Sequence, residues 1–192
     1  DGTRGYRDRV GTEYAVMLHA RTRETVHYSL VYLPEESAEG TWLEVRDGRI
    51  TLGPDNASQQ ARAALDALPP VAGDRSRERA RAVSTAGLEG VLGSETPGSL
   101  YPIMASGYLG GALFHTPNVY DFPVCMHIAR ALGGDAVWVK DGRPVHFGEL
   151  WLDERSNMLR LPGIVACAID RRVMATLVDV ARGWSEERYA GG

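Results

Sequence analysis

The sequence predicts an α/β fold in which an antiparallel β unit is followed by a mixed or parallel sheet covered by helices. Two observations predict this class. Before residue 54, apolar and polar residues alternate on either side of an Asp-Gly turn, which is typical of antiparallel strands. From Ser99 onward, apolar runs of strand length and helix length follow one another, which is typical of a sheet with helices on its faces. We therefore divide the chain into a β unit, residues 1–56, and an α/β domain, residues 57–192.

The composition is that of an ordinary globular protein, with 44% hydrophobic and 24% charged residues in 192. A net charge of −4 and a pI near 5.7 disfavour nucleic acid polymers and membrane surfaces as partners. No apolar run reaches the length of a transmembrane helix. The two cysteines, Cys125 and Cys167, lie in apolar surroundings, so we expect small buried residues rather than a disulfide framework or a zinc site.

Four strands are predicted in the β unit. The last two form a hairpin around Asp47-Gly48, the strongest hairpin signal in the chain. His19 and His27 fall within the first two strands and are interpreted as sheet residues. The predicted strands are residues 13–20, 25–33, 41–46 and 49–52.

The α/β domain is predicted to alternate helices and strands. The charge run 74–81 and the later Asp153-Glu154-Arg155 are interpreted as solvated, and 87–98 as a connection. His127 is expected to be a core histidine. The predicted helices are 58–68, 99–109, the helix after Asp121 and a last helix capped by Asp170; the predicted strands are 111–115, 136–140 and 163–169.

The helix after Asp121 is the feature around which the domain is organised. Its run is apolar almost all round, which predicts a buried helix. Pro123 lies in the first turn, where a missing N–H costs little, and Gly133-Gly134 end the helix. Asp121 therefore stands at the positive end of a helix dipole. Its local interpretation is an N-cap, since Asp is among the preferred residues there.

A second acid, in Asp1-Gly2-Thr3, suggests another role for Asp121. Glycine permits close approach of a ligand to the backbone, and successive N–H groups can hold an anion. An isolated Asp-Gly-Thr is also common in turns and at frayed chain ends. The local pattern alone does not decide between these interpretations.

The order of motifs resembles the inositol monophosphatase-like family of magnesium-dependent phosphatases. That family carries D-P-x-D-G-T and, much later, W-D-x-A/G-A at the start of a helix that ends like E-A-G-G. The matching pieces cover nearly the whole chain in order, and they are Asp1-Gly2-Thr3, Gly98-Ser99, Tyr120-Asp121 and residues 131–134.

The resemblance implies an alternating α/β/α/β/α sandwich and a site for Mg²⁺. It implies that Asp1 and Asp121 are metal ligands, and that Asp1 and Thr3 are catalytic, with the Thr3 hydroxyl orienting the attacking water. Gly2 and Thr3 would bind the phosphate through N–H groups, and Gly98-Ser99 would face the organic part of the substrate. His115 or Asn118 could take the place of an acid that inositol phosphatases carry before the late Asp, although His115 could equally be a loop residue.

The departures from the family concern the first acids. The chain opens with Asp1 rather than Met, and the acids that the family carries upstream of Asp-Gly-Thr are absent, so the chain is either a trimmed piece of a longer protein or a half-site that has lost its partner. We also expect an exposed face or edge on the antiparallel sheet. The segment 57–93 matches the family poorly and looks one strand short.

Two functions remain open on this evidence. The first is Mg²⁺-dependent hydrolysis of a small inositol, sugar or nucleotide phosphate monoester by a cytoplasmic, bacterial enzyme, for which the resemblance suggests a homodimer. The alternative is a non-catalytic module of the same descent that binds a phosphorylated ligand or regulates a partner.

Overall fold

The structure is a computed structural model that describes residues 14–34, 40–53, 71–73, 77–92 and 109–189. The predicted helix 58–68 and almost all of the predicted helix 99–109 lie outside these ranges, as does the proposed division at residue 56, which stays a prediction. None of the described helices has the length and hydropathy needed to cross a membrane.

The first sheet is a four-stranded antiparallel meander in the order β1-β2-β3-β4. Asp47 and Gly48 both have positive φ (50° and 71°), as the tight turn between the last two strands requires. The predicted antiparallel unit and its hairpin are therefore confirmed. The strands are β1 (Val16–Arg21), β2 (Val26–Leu33), β3 (Thr41–Arg46) and β4 (Arg49–Gly53).

The second sheet has five strands and is mixed, as predicted. Its order is β6-β5-β7-β11-β8: β5 runs parallel to β6 and β7, and β11 is antiparallel to β7 and β8. The strands are β5 (Val71–Gly73), β6 (Gly90–Leu92), β7 (Gly111–His115), β8 (Asp135–Trp138) and β11 (Ile164–Ala168); β9 (Trp151–Asp153) and β10 (Met158–Arg160) form a separate two-stranded sheet.

The interpretation of residues 87–98 as a connection is wrong at β6. Three residues, Gly90–Leu92, pair in parallel with β5 at the edge of the mixed sheet. A strand of three residues is too short to show an alternation of apolar and polar residues, so it is recognised only by its pairing with β5.

Three helices are described. They are α1 (Arg77–Thr85), α2 (Phe122–Ala131) and α3 (Arg171–Ala181). Asp170 caps α3 as predicted, since its carboxylate accepts hydrogen bonds from the backbone N–H of Arg172 and Val173. Eight of the ten residues of α2 are buried, which confirms the buried helix.

Helix α2 lies between the two sheets and supplies the centre of the main hydrophobic core. This core joins the inner face of the meander, α2 and one face of the mixed sheet. A second core lies on the opposite face of the mixed sheet, under α1 and α3. Alternation along β11 separates the two, because Val165 and Cys167 enter the first core while Ile164 and Ala166 enter the second.

The outer face of the meander carries exposed apolar side chains beside the ion pair between Glu44 and Arg46. Val16 is 60% exposed and Leu18 58% exposed. Tyr32 and Trp42, which lie opposite each other on β2 and β3, are also exposed. This is the exposed sheet face expected from the sequence.

Candidate functional site

The loop between β7 and α2 brings Asp121 to the start of the buried helix. Asp121 occupies the N-cap position, but its side chain makes no capping hydrogen bond to α2. Its Oδ2 atom instead accepts a hydrogen bond from Asn118 Nδ2 at 3.0 Å. The interpretation of this side chain as a helix cap is therefore wrong, because the carboxylate is oriented by the preceding loop.

Asn118 fixes both the backbone and the side chain of Asp121. Its Oδ1 atom accepts hydrogen bonds from the backbone N–H of Tyr120 (2.9 Å) and of Asp121 (2.8 Å), while its Nδ2 donates to the Asp121 carboxylate. An amide that accepts on one side and donates on the other suits this position, since an acid in its place would lack the donor. Sequence reasoning considered Asn118 only as a substrate contact.

His19, on β1, belongs to the surroundings of Asp121. Burial and the charge of Arg21 lower the pKa of His19, against the opposing effects of the Val119 and Tyr120 backbone and the Asp121 carboxylate. Its Nδ1 atom is buried without a hydrogen-bond partner in the described part of the chain. A sheet position was predicted for His19 and is confirmed, but its proximity to Asp121 was not foreseen.

A buried group of charges lies beside this loop. We call Asp153, Ser156, Arg160, Arg188 and Tyr189 the Asp153 cluster. Asp153 is only 1% exposed, so the prediction that it is solvated is wrong. Its Oδ2 atom accepts from Arg160 Nε at 2.6 Å and from Ser156 Oγ at 2.7 Å, and Tyr189 Oη donates to both carboxylate oxygens.

The electrostatics of the cluster favour an ionised Asp153. Burial acts to raise the pKa of Asp153, but hydrogen bonds from Ser156, Arg160 and Tyr189, together with the charge of Arg160, outweigh it and hold this pKa well below its usual range. A buried carboxylate kept charged by guanidinium groups is stable only while every partner stays in place.

The other residues predicted for the site have mixed outcomes. His115 ends β7, and its Nε2 atom makes a 2.8 Å hydrogen bond with the backbone carbonyl of Ser185, which ties it to the segment after α3. A substrate contact for His115 stays a prediction. The residues outside the described ranges are Asp1, Gly2, Thr3, Gly98 and Ser99.

The described residues fit a magnesium ion in chemistry but not in number. Asp121 offers carboxylate oxygens, the ligand type that Mg²⁺ prefers. Within the described part of the chain, no group of three or more His, Cys, Asp or Glu side chains could hold a metal. Further ligands would have to come from Asp1 or from outside the described residues.

The two predicted buried cysteines lie next to each other. Cys125 on α2 and Cys167 on β11 are fully buried thiols that form no disulfide, with their Sγ atoms 3.8 Å apart. The hydrogen bond with Cys167, together with burial, raises the pKa of Cys125 well above its usual value. The pair therefore behaves as core packing, as expected.

Comparison with solved structures identifies the fold. The extragenic suppressor protein SuhB from Bartonella henselae superimposes with a TM-score of 0.64 at 14% identity, over 94% of this chain and 68% of that one. A hypothetical Pyrococcus horikoshii protein with similarities to inositol-1 monophosphatase gives 0.61 at 16% identity, over 94% and 66%. An IMPase/NADP phosphatase complexed with Mg²⁺ and phosphate gives 0.61 at 12% identity, over 95% and 64%.

Sequence comparison adds nothing to this. No protein-family model matches the chain, and no curated protein sequence matches it significantly. The chain spans about two thirds of the length of its structural neighbours. At identities of 11–18%, the likeness establishes the architecture. The chain has the fold of the inositol monophosphatases and SuhB proteins, as its motifs predicted.

Proposed function

We propose that this protein hydrolyses a small phosphate monoester with the help of Mg²⁺. The observation that carries the proposal is the Asp121 carboxylate, which stands at a buried helix N-terminus yet is held by Asn118 instead of capping that helix. The shared fold supports the proposal, since one structural neighbour holds Mg²⁺ and phosphate.

The residues of the chain would divide the work as follows. Asp121 and Asp1 would hold the metal, which when bound supplies charge neutralisation for the transferring phosphoryl group. The backbone N–H groups of Gly2 and Thr3 would bind the phosphate, and the Thr3 hydroxyl would orient water. Because Asp121 stands at the positive end of α2, the helix dipole would favour an anion bound beside it.

The test is a phosphate-release assay with and without Mg²⁺ on inositol, sugar and nucleotide monophosphates. We expect Mg²⁺-dependent release that falls by roughly a hundredfold or more in Asp121→Asn, in keeping with the loss of a metal ligand. Asp179→Asn is the matched control, because Asp179 lies exposed on α3 in an ion pair with Arg182.

Two results would contradict this proposal, the first for the role of Asp121 and the second for catalysis itself. If Asp121→Asn releases phosphate as fast as the unmodified protein, Asp121 is not part of the catalytic site. Binding of a phosphorylated ligand without any metal-dependent turnover would favour the alternative, a phospholigand-binding module.

A further inference from the structure

We infer that the Asp153 cluster positions the Asp121 carboxylate, and that Arg188 is the residue through which it does so. This inference rests on the proposed function for its consequence, but its structural part concerns only how the loop 116–121 is held. Contacts lead from the cluster to Thr116, then along the loop to Asn118, and from there to Asp121.

The Asp153 cluster carries more positive than negative charge, and this excess charge lies next to the loop 116–121. It contains one carboxylate and two guanidinium groups, and Asp153 is fully engaged with Arg160, Ser156 and Tyr189. Arg188 Nε lies 3.6 Å from Asp153 Oδ2, and this buried atom makes no hydrogen bond to any described residue. The orientation of Arg188 is therefore set less by Asp153 than by its other contacts.

Those other contacts are with the end of β7 and the residue after it. Arg188 Nη1 donates to the His115 carbonyl at 2.8 Å and to Thr116 Oγ1 at 2.9 Å. Arg160 Nη1 donates to the Thr116 carbonyl at 3.2 Å, and the Thr116 N–H donates to the Gly163 carbonyl at 2.7 Å. Every polar atom of Thr116 is thus engaged, two of them by the cluster's guanidinium groups.

Thr116 needs this support because its backbone is strained. Its φ is +45°, a left-handed conformation that a β-branched residue rarely adopts. Such a conformation costs on the order of 1–3 kcal/mol and persists only where the surroundings fix it. At this position two of the three fixing groups are the guanidinium groups of Arg160 and Arg188 and the third is the Gly163 carbonyl, so the turn depends in large part on the cluster.

From Thr116 the constraint passes to Asp121. The Pro117 carbonyl accepts a hydrogen bond from the Leu161 N–H, and the Val119 N–H donates to the Leu159 carbonyl. Between these two anchors, Asn118 binds the Asp121 carboxylate and backbone. If the turn at Thr116 relaxes, Asn118 moves and the carboxylate loses its orientation.

The experiment compares Arg188→Gln with Arg188→Lys and with Leu177→Ala. Leu177 is fully buried in the second core, away from the loop, so its truncation lowers stability without touching the cluster. We expect Arg188→Gln to weaken Mg²⁺ binding, measured by calorimetry, about tenfold, the usual effect of losing a residue that orients a metal ligand. We expect Arg188→Lys to recover part of the lost Mg²⁺ affinity. The lysine ammonium keeps the positive charge but lacks the planar set of donors with which a guanidinium makes several hydrogen bonds at once.

A second readout does not depend on metal or turnover. Amide hydrogen exchange at Tyr120 and Asp121, whose N–H groups are bound by Asn118, should accelerate about tenfold in Arg188→Gln and stay unchanged in Leu177→Ala. If Arg188→Gln lowers only the melting temperature, as Leu177→Ala does, the positioning role is overturned. If the unmodified protein binds no Mg²⁺, the proposed function fails, and amide exchange still decides whether the cluster holds the loop.

Discussion

The two ends of helix α2 are built in opposite ways. At the C-terminal end, Gly133 N–H bonds to the Arg130 carbonyl and Gly134 N–H to the Ala129 carbonyl, with Gly133 at φ +94°. These bonds close the helix as a Schellman motif, in which the exposed carbonyls find donors. At the N-terminal end, Asp121 leaves the helix uncapped and binds Asn118. One end is closed by the backbone of the helix itself, whereas at the other end the acidic side chain is bound by the loop that precedes the helix.

The first prediction concerns the C-terminal end of α2, which the Schellman motif closes. A Cβ on Gly134 would collide with the backbone carbonyl of Ala168, because the helix terminus packs directly on β11. We expect Gly134→Ala to lower the free energy of unfolding by about 3 kcal/mol, measured by urea denaturation, as overpacking against backbone does.

The control for that substitution is Gly183→Ala. A Cβ at Gly183 meets no atom within 4 Å. We expect its effect to stay within about 0.5 kcal/mol. Equal effects of the two substitutions would show that the fit of Gly134 against β11 is unimportant.

The second prediction concerns the middle of the helix, where His127 Nδ1 and Ser29 Oγ share a buried hydrogen bond of 2.9 Å. Burial first, then the charges of Arg130 and His27, lower the pKa of His127 from 6.5 to about 4. Between these values the unfolded chain binds a proton that the folded protein does not. The free energy of unfolding should therefore fall as the pH drops through this window, by on the order of 2 kcal/mol.

The matched variant is His127→Asn, whose amide can still bond to Ser29 but does not titrate. Urea denaturation at several pH values between 7 and 4 should show a flatter dependence for this variant. An identical slope in both proteins would mean that His127 does not control the loss of stability in acid.

The third prediction concerns the N-terminal end of α2, where the Asp121 side chain makes no capping hydrogen bond. Its expected change in unfolding free energy is the smallest of the three. Asp170 caps α3 with two hydrogen bonds, so Asp170→Ala should cost about 1 kcal/mol of unfolding free energy. Asp121 makes no such bond to α2, so Asp121→Ala should cost less than this, about 0.5 kcal/mol, chiefly through the loss of its hydrogen bond with Asn118. If Asp121→Ala lowers the unfolding free energy as much as Asp170→Ala does, Asp121 stabilises α2 as a cap would.

The elements that the sequence predicted correctly are those with local signals. The hairpin at Asp47-Gly48, the Asp170 cap and the helix between Asp121 and Gly133 each depend on residues within a few positions of one another. The N-cap interpretation of Asp121 failed although its competitor, Asn118, is only three residues away, because nothing in the sequence of that loop indicates which partner the carboxylate takes.

The Asp153 cluster could not be predicted from the sequence. Asp153 stands in an acid- and arginine-containing turn whose composition is that of a solvated surface. The groups that bury it are Arg160, seven residues later, and Tyr189, 36 residues later. No spacing in the chain marks them as partners, since only the fold brings the segment after α3 against β9 and β10.

The seating of α2 on the meander has a consequence for how the protein folds. The strands of the meander meet through short hairpins, so their contacts are local and inexpensive in chain entropy. The contacts that seat the helix join Ser29 to His127 and Thr25 to Arg130, which are 98 and 105 residues apart in the chain. Closing so long a loop is entropically costly and gives little return until both cores form. We therefore expect Asp121 to reach its position late in folding, through long-range assembly rather than through the formation of its own helix.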